Sequence, residues 1–98
     1  MAFSKIQHRD FAEEAEILKI LGHPVRLKIV AGLLSGNCCV NEISKCLHIP
    51  QTTISQHLGL LRSKGIVQGK RDGTTVTYAV VSPLVQRLVT QTLLTRSY

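Results

Sequence analysis

Two groups of side chains in this 98-residue sequence could do chemistry. The first is Gln51, Thr52, Ser55 and Gln56 of one helical stretch, where at 100° per residue Thr52, Ser55 and Gln56 share a face with Gly59 and Ser63. Glutamine, threonine and serine both donate and accept hydrogen bonds, as telling base edges apart in a duplex major groove requires. A helix face that is merely solvated usually carries Glu and Lys, and this stretch carries neither. Arg62, Lys64, Lys70, Arg71 and Thr74 follow, and the basic ones could neutralise phosphates without reading sequence. The second group is Cys38, Cys39 and Cys46. Three thiolates could trap As(III) or a soft metal ion, or be modified by reactive sulfur or oxygen species.

The elements that must position the polar group can be read from apolar spacing. Cys39 to Leu47 reads as a helix, His48-Ile49-Pro50 as a turn, and Gln51 to Ser63 as a second helix closed by Gly65. Ile43, Leu47, Ile49, Ile54, Leu58 and Leu61 supply the contacts that lock two helices at a steep angle, a helix-turn-helix. Gly59 lies on the polar side of the second helix. A glycine there costs about 1 kcal/mol against alanine, which close approach to another surface would compensate. Downstream, Ile66 to Gly69 and Thr74 to Val81 read as strands around an Asp72-Gly73 turn, making a wing with Lys70 and Arg71 near its tip.

Upstream, Asp10 to Leu21 and Pro24 to Leu34 have helical periodicity. Phe11, Ala15, Leu18 and Leu21 stripe the first, and the second is apolar over so much of its circumference that it should be central. Pro83 opens a last helix to Thr95 with a wide apolar stripe. The expected class is mainly α with a small β-hairpin, a single winged helix-turn-helix domain over residues 1–98 in the order ααααββα. The middle elements make their own core, so the striped terminal helices (about residues 10–21 and 83–95) are expected to form the interface of a homodimer. A two-fold dimer sets its reading helices one duplex turn apart and predicts an inverted-repeat operator.

Charge agrees with a polyanionic partner. The formal net charge is +6, and four of the six acids, Asp10, Glu13, Glu14 and Glu16, lie near the amino terminus. From Ile17 onward ten basic residues face only Glu42 and Asp72. No stretch approaches the roughly 18 apolar residues of a membrane span, and Met1 to Arg9 lacks the apolar core of a secretory signal, so a cytoplasmic protein without a membrane partner is expected. Three cysteines make no disulfide framework. On one rigid helix Cys39 and Cys46 would be about 10 Å apart, too far for a bridge.

The run Leu21-Gly22-His23-Pro24-Val25-Arg26-Leu27-Lys28-Ile29, followed by Ile49-Pro50-Gln51-Thr52-Thr53-Ile54-Ser55-Gln56-His57-Leu58, closely resembles the ArsR/SmtB family of winged-helix repressors. So does Gly65 to Tyr78, with its Lys70-Arg71-Asp72-Gly73 tip. The resemblance covers about Ala12 to Leu94 and implies a homodimeric repressor of double-stranded operator DNA that an inducer releases. It puts Gln51, Thr52, Ser55 and Gln56 on base-reading positions and Lys70, Arg71 and Thr74 on the wing. Members that sense arsenic or soft metals carry Cys-Val-Cys where this chain has Cys39-Val40-Asn41. Zinc sensors carry Asp-x-His and His-x-x-His on the last helix, which here has no histidine, aspartate or glutamate.

The inducer-sensing candidates are therefore Cys38, Cys39 and Cys46, with Cys38 and Cys39 as metal ligands and no cofactor required. Cys46 has a competing reading as a small buried hydrophobe beside Ile43 and Leu47. His57 reads as a packing or hydrogen-bonding residue, and His8, His23 and His48 lack ligand spacing. Catalysis is disfavoured, since no Cys-x-x-Cys, paired base or deep cleft is in evidence. A constitutive regulator without thiol sensing, or a winged helix used only for protein interaction, are the remaining alternatives.

Overall fold

The computed structural model describes residues 2–94. In chain order the elements are α1 (Ala2–Ile6), α2 (Ala12–Leu21), α3 (Pro24–Ser35), β1 (Cys38–Cys39), α4 (Val40–Leu47), α5 (Gln51–Ser63), β2 (Val67–Asp72), β3 (Thr75–Val80) and α6 (Pro83–Val89). A π-helical turn, Thr90–Leu94, continues α6; Thr95, the expected end of that helix, lies outside the described residues. The expected winged helix-turn-helix is present, with two additions, the short α1 and the two-residue β1.

Local signals set the helix starts. Asp10 Oδ1 accepts the Ala12 N–H at 2.9 Å, so its carboxylate stays outside and α2 begins two residues later than the periodicity suggested. His23 Nδ1 accepts the Val25 N–H at 3.1 Å, and Pro24, which lacks an N–H to satisfy, opens α3. Ser82 and Pro83 repeat the device at α6, where Ser82 Oγ accepts from the Val85 N–H at 3.3 Å.

Helix α3 is central as its composition requires: Ile29, Val30 and Leu33 are buried, and it packs against α2, α5, α6 and β3. Ile54, Leu58 and Leu61 of α5 complete the core with Ile66, Val67, Val80, Val85 and Val89. The sheet is antiparallel, ordered β1-β3-β2. Asp72 pairs with Thr75, so the hairpin loop is Gly73 and Thr74 rather than Asp72-Gly73, and Gly73 supplies the positive φ of 65° at the first loop position. The Tyr78 ring lies across the backbone of its partner Gly69, where a Cβ would sit 3.0 Å from Tyr78 Cε1 and 2.8 Å from Val76 Cγ1.

The start of α4 differs from the sequence reading. Cys39, expected to begin the helix, instead joins Cys38 in a strand paired with Thr77 and Tyr78, and α4 departs from it at Val40. The partner strand lies about forty residues downstream, beyond the reach of local periodicity.

Candidate nucleic-acid interface

The corner between α4 and α5 is tied at three points. His48 adopts a left-handed conformation, φ 57°, which ends α4 and turns the chain. Ser44 then binds Ile49 twice: its Oγ donates to the Ile49 carbonyl at 2.5 Å, and its carbonyl accepts the Ile49 N–H at 3.2 Å. The third tie joins the helix starts, where Gln51 Nε2 donates to Asn41 Oδ1 at 2.9 Å. Asn41 did not stand out in the sequence beyond its place after Cys39-Val40, because only the folded corner brings it beside Gln51.

Helix α5 separates two chemistries by face. Ile54, Leu58 and Leu61 are buried in the core, while Thr52, Ser55 and Gln56 are exposed on the other side and Gln51 is exposed at the helix start. Gly59 continues the polar face, and a Cβ there would meet nothing within 4 Å beyond its own helix, so no packing within the chain requires a glycine. Arg62, Lys64, Lys70, Arg71 and Thr74 are likewise exposed, the first two at the end of α5 and the others on the wing. Lys64 Nζ lies 3.6 Å from Glu16 Oε1. Such an exposed pair is weak enough to be exchanged for a phosphate.

Behind the polar face, His57 is half-buried and its ring lies 4.8 Å from that of His23, tilted by 55°. Burial, and then the charges of His23 and Arg26, push the His57 pKa below its ordinary value. Arg26 is held by donating from Nε to the Ile20 carbonyl at 2.7 Å. His57 thus seats the back of α5 against the start of α3, the packing role its position suggested.

Comparison with known proteins agrees with this geometry. Residues 23–68, which contain the α4–α5 corner, match the family described as bacterial regulatory protein, arsR family. Transcriptional repressor PagR of Bacillus anthracis is 36% identical over 86 residues, covering 87% of this chain and 86% of PagR. The chain belongs to the ArsR/SmtB family. That family comprises transcriptional regulators rather than enzymes. The crystal structure of PagR superposes with a TM-score of 0.76 at 35% identity, covering 83% of this chain and 93% of that one. HTH-type transcriptional repressor SmtB of Mycobacterium tuberculosis is 39% identical over 74 residues, 76% of this chain; the chain spans only 55% of that protein's length. A fragment from Mycobacterium bovis, described as a homodimeric winged helix-turn-helix DNA-binding domain, gives a TM-score of 0.78 at 29% identity, covering 87% of this chain and 79% of the fragment.

In this ArsR-family chain the three thiols are distributed in an unexpected way. Successive residues of a strand send their side chains to opposite faces, so Cys38 and Cys39, both half-buried, do not converge on one ion. Cys38 instead lines an apolar groove of about 160 Å³ between α3 and α4 together with Ile29, Gly32, Leu33 and Cys46. Cys46 is exposed, contrary to its reading as a buried hydrophobe, because nothing fills that groove and Gly32 brings no side chain to cover it. Burial, opposed by a hydrogen bond from the Cys39 backbone, pushes the Cys38 thiol up, and nearby Cys39, Glu42 and Cys46 add to the rise. Among the described residues no three His, Cys, Asp or Glu side chains are grouped to hold a metal.

The terminal helices leave apolar surface open. Helix α2 buries Ile20 and Leu21 but leaves Phe11 before it 43% exposed and Leu18 52% exposed. Between α2 and the last helix runs a trough of about 220 Å³ lined by Leu18, Leu21, Leu27, Leu88, Val89 and Leu93. Both helices rest on α3, and the trough separates them. No helix among the described residues is long and apolar enough to cross a membrane.

Proposed function

We propose that this protein is a homodimeric, sequence-specific DNA-binding repressor of transcription that acts in the cytoplasm and leaves an inverted-repeat operator when an inducer reacts with its thiols. The observation that carries the reading is the division of α5, where Ile54, Leu58 and Leu61 are buried while Gln51, Thr52, Ser55 and Gln56 are exposed. Those side chains read base edges, and Arg62, Lys64, Lys70, Arg71 and Thr74 hold the backbone. The chain works as one winged helix-turn-helix domain. Its dimer interface is formed by the terminal helices (about residues 10–21 and 83–95), with Phe11, Leu18 and the trough covered by the partner copy. The repressors and the homodimeric fragment among its relatives support both parts.

Fluorescence anisotropy on a selected duplex tests the DNA reading. Affinity falls steeply between low and physiological salt, reflecting several phosphate contacts. Gln56→Ala relaxes base preference, whereas Arg71→Ala weakens all duplexes alike. Equal losses on every duplex from both variants contradict this division of labour.

The sensing half rests on the shared groove of Cys38 and Cys46, with Cys39 as a separate half-buried thiol. As(III) or a soft metal ion, or a reactive sulfur or oxygen species, is the inducer class that thiols select. Operator release is measured on titration with arsenite, Cd(II), Zn(II), persulfide and peroxide, for the wild type and for Cys38→Ser, Cys39→Ser and Cys46→Ser. Release that survives all three substitutions, or no release by any agent, leaves a regulator without thiol sensing.

A further inference from the structure

We infer that Asn41 is a positioning residue for base recognition, holding the Gln51 amide so that the pair selects adenine at the base pair Gln51 faces. The inference rests on the DNA-reading proposal above. Asn41 is the second residue of α4 and Gln51 the first of α5, and both are exposed. The only way they meet is through the tied corner, which carries the α5 start back alongside the α4 start. Their hydrogen bond, 2.9 Å from Gln51 Nε2 to Asn41 Oδ1, is therefore a cross-link between the two helices on their open side.

The direction of that bond decides what Gln51 can still offer. A glutamine side chain has one carbonyl oxygen and two N–H donors. One donor is committed to Asn41, so Oε1 and the second N–H remain for a ligand. In a major groove, adenine presents an N6 amine donor beside an N7 acceptor, which matches that remaining set in both members. Cytosine, through its N4 amine, matches the oxygen alone. Guanine presents two acceptors and thymine an acceptor and a methyl, so both leave Oε1 facing an oxygen or a hydrocarbon. Were the bond reversed, with the Asn41 amine donating to Gln51 Oε1, the free donors of Gln51 would favour guanine instead. Tethering has a second effect. A free surface glutamine samples many rotamers and must be ordered on binding, whereas the Asn41 bond orders it beforehand.

Sites are selected from a pool of duplexes with randomised half-sites, using the full chain as wild type, Asn41→Ala, Asn41→Asp, Gln51→Ala and the double alanine variant. The wild type is expected to select an A·T pair, adenine toward Gln51, at one position. Asn41→Ala lowers that preference about 3- to 10-fold and leaves the other positions unchanged, a fraction of what a bidentate base contact supplies. Asn41→Asp keeps an oxygen acceptor, so it retains the adenine preference while its added charge weakens every duplex. In the Gln51→Ala background Asn41→Ala changes base preference no further. Unfolding midpoints stay level across the set, because both side chains are on the surface. The inference is overturned if guanine or thymine is selected there, if Asn41→Ala lowers all duplexes equally, or if its effect persists without Gln51. Selection of no motif at all by the wild type defeats the DNA-reading proposal, and this inference with it.

Discussion

Gly59→Ala should stabilise the protein and weaken its hold on DNA, two effects of opposite sign from one methyl group. Gly59 sits inside α5, and an added Cβ meets nothing within 4 Å beyond its own helix, so the substitution brings no clash. What it brings is helix propensity, about 0.8–1.0 kcal/mol in favour of alanine. In a domain of this size about 1 kcal/mol moves the midpoint of thermal unfolding up by roughly 4–8 °C. Calorimetry at one fixed protein concentration reads this, since the proposed dimerisation would make the midpoint concentration-dependent. The same methyl stands on the face of Thr52, Ser55 and Gln56. It holds the helix away from a duplex that the bare glycine lets approach, and a loss of about 1.4 kcal/mol there is a tenfold loss of affinity. Anisotropy titration on the selected operator should show at least that. A midpoint that falls means α5 is not free at this position. A raised midpoint with unchanged affinity means the glycine serves no close approach to DNA, and the assignment of this face as the contact surface loses one of its supports.

Three further outcomes are expected. Gly69→Ala inserts a Cβ 2.8 Å from Val76 Cγ1 and 3.0 Å from the Tyr78 ring, and urea unfolding should register the overpacking as a loss of about 1–3 kcal/mol. His57 has a folded pKa below 6.5, so the unfolded chain takes up its proton first. Stability is therefore complete above about pH 6.5 and declines as pH falls toward the lower folded value; urea midpoints at pH 7.5 and 5.5 measure the decline, which His57→Gln should reduce. Limited alkylation with iodoacetamide followed by peptide mass analysis should label exposed Cys46 before Cys38, whose thiol is half-buried and held protonated by that burial.

The helix pair was legible in the sequence because its apolar pattern is local, Ile54, Leu58 and Leu61 recurring at helical spacing, whereas the Asn41–Gln51 tie needed the folded corner. Helix α3 was legible for the same reason, its apolar excess marking a central element. The hairpin was legible in kind but not in register. Both the Asp72-Gly73 and the Gly73-Thr74 loops put glycine where the chain needs a positive φ, and the choice falls to ladder pairs such as Val67 with Val80, which local spacing does not weigh. Cys46 shows a different limit. Its spacing beside Ile43 and Leu47 is that of a core residue, yet burial needs something on the far side of the groove, and Gly32 leaves that side empty.

The least legible element, β1, makes a second link between the helix pair and the wing, beside the direct continuation of α5 into β2. Cys38 and Cys39 pair with Tyr78 and Thr77 on β3, whose other edge pairs with β2 to make the wing. Cys39 is at the same time the residue from which α4 departs, and α4 is tied to α5 through Ser44 and Asn41. Wing and helix pair are thus linked twice, by the chain passing from α5 into β2 and by these two paired residues. A strand of two residues has little ladder to lose, and Cys38 also packs against the core and shares its groove with Ile29. Under the proposed thiol sensing, Cys38 is the thiol placed to touch both wing and helix pair, since it lies in this strand and opens onto the groove beside α4.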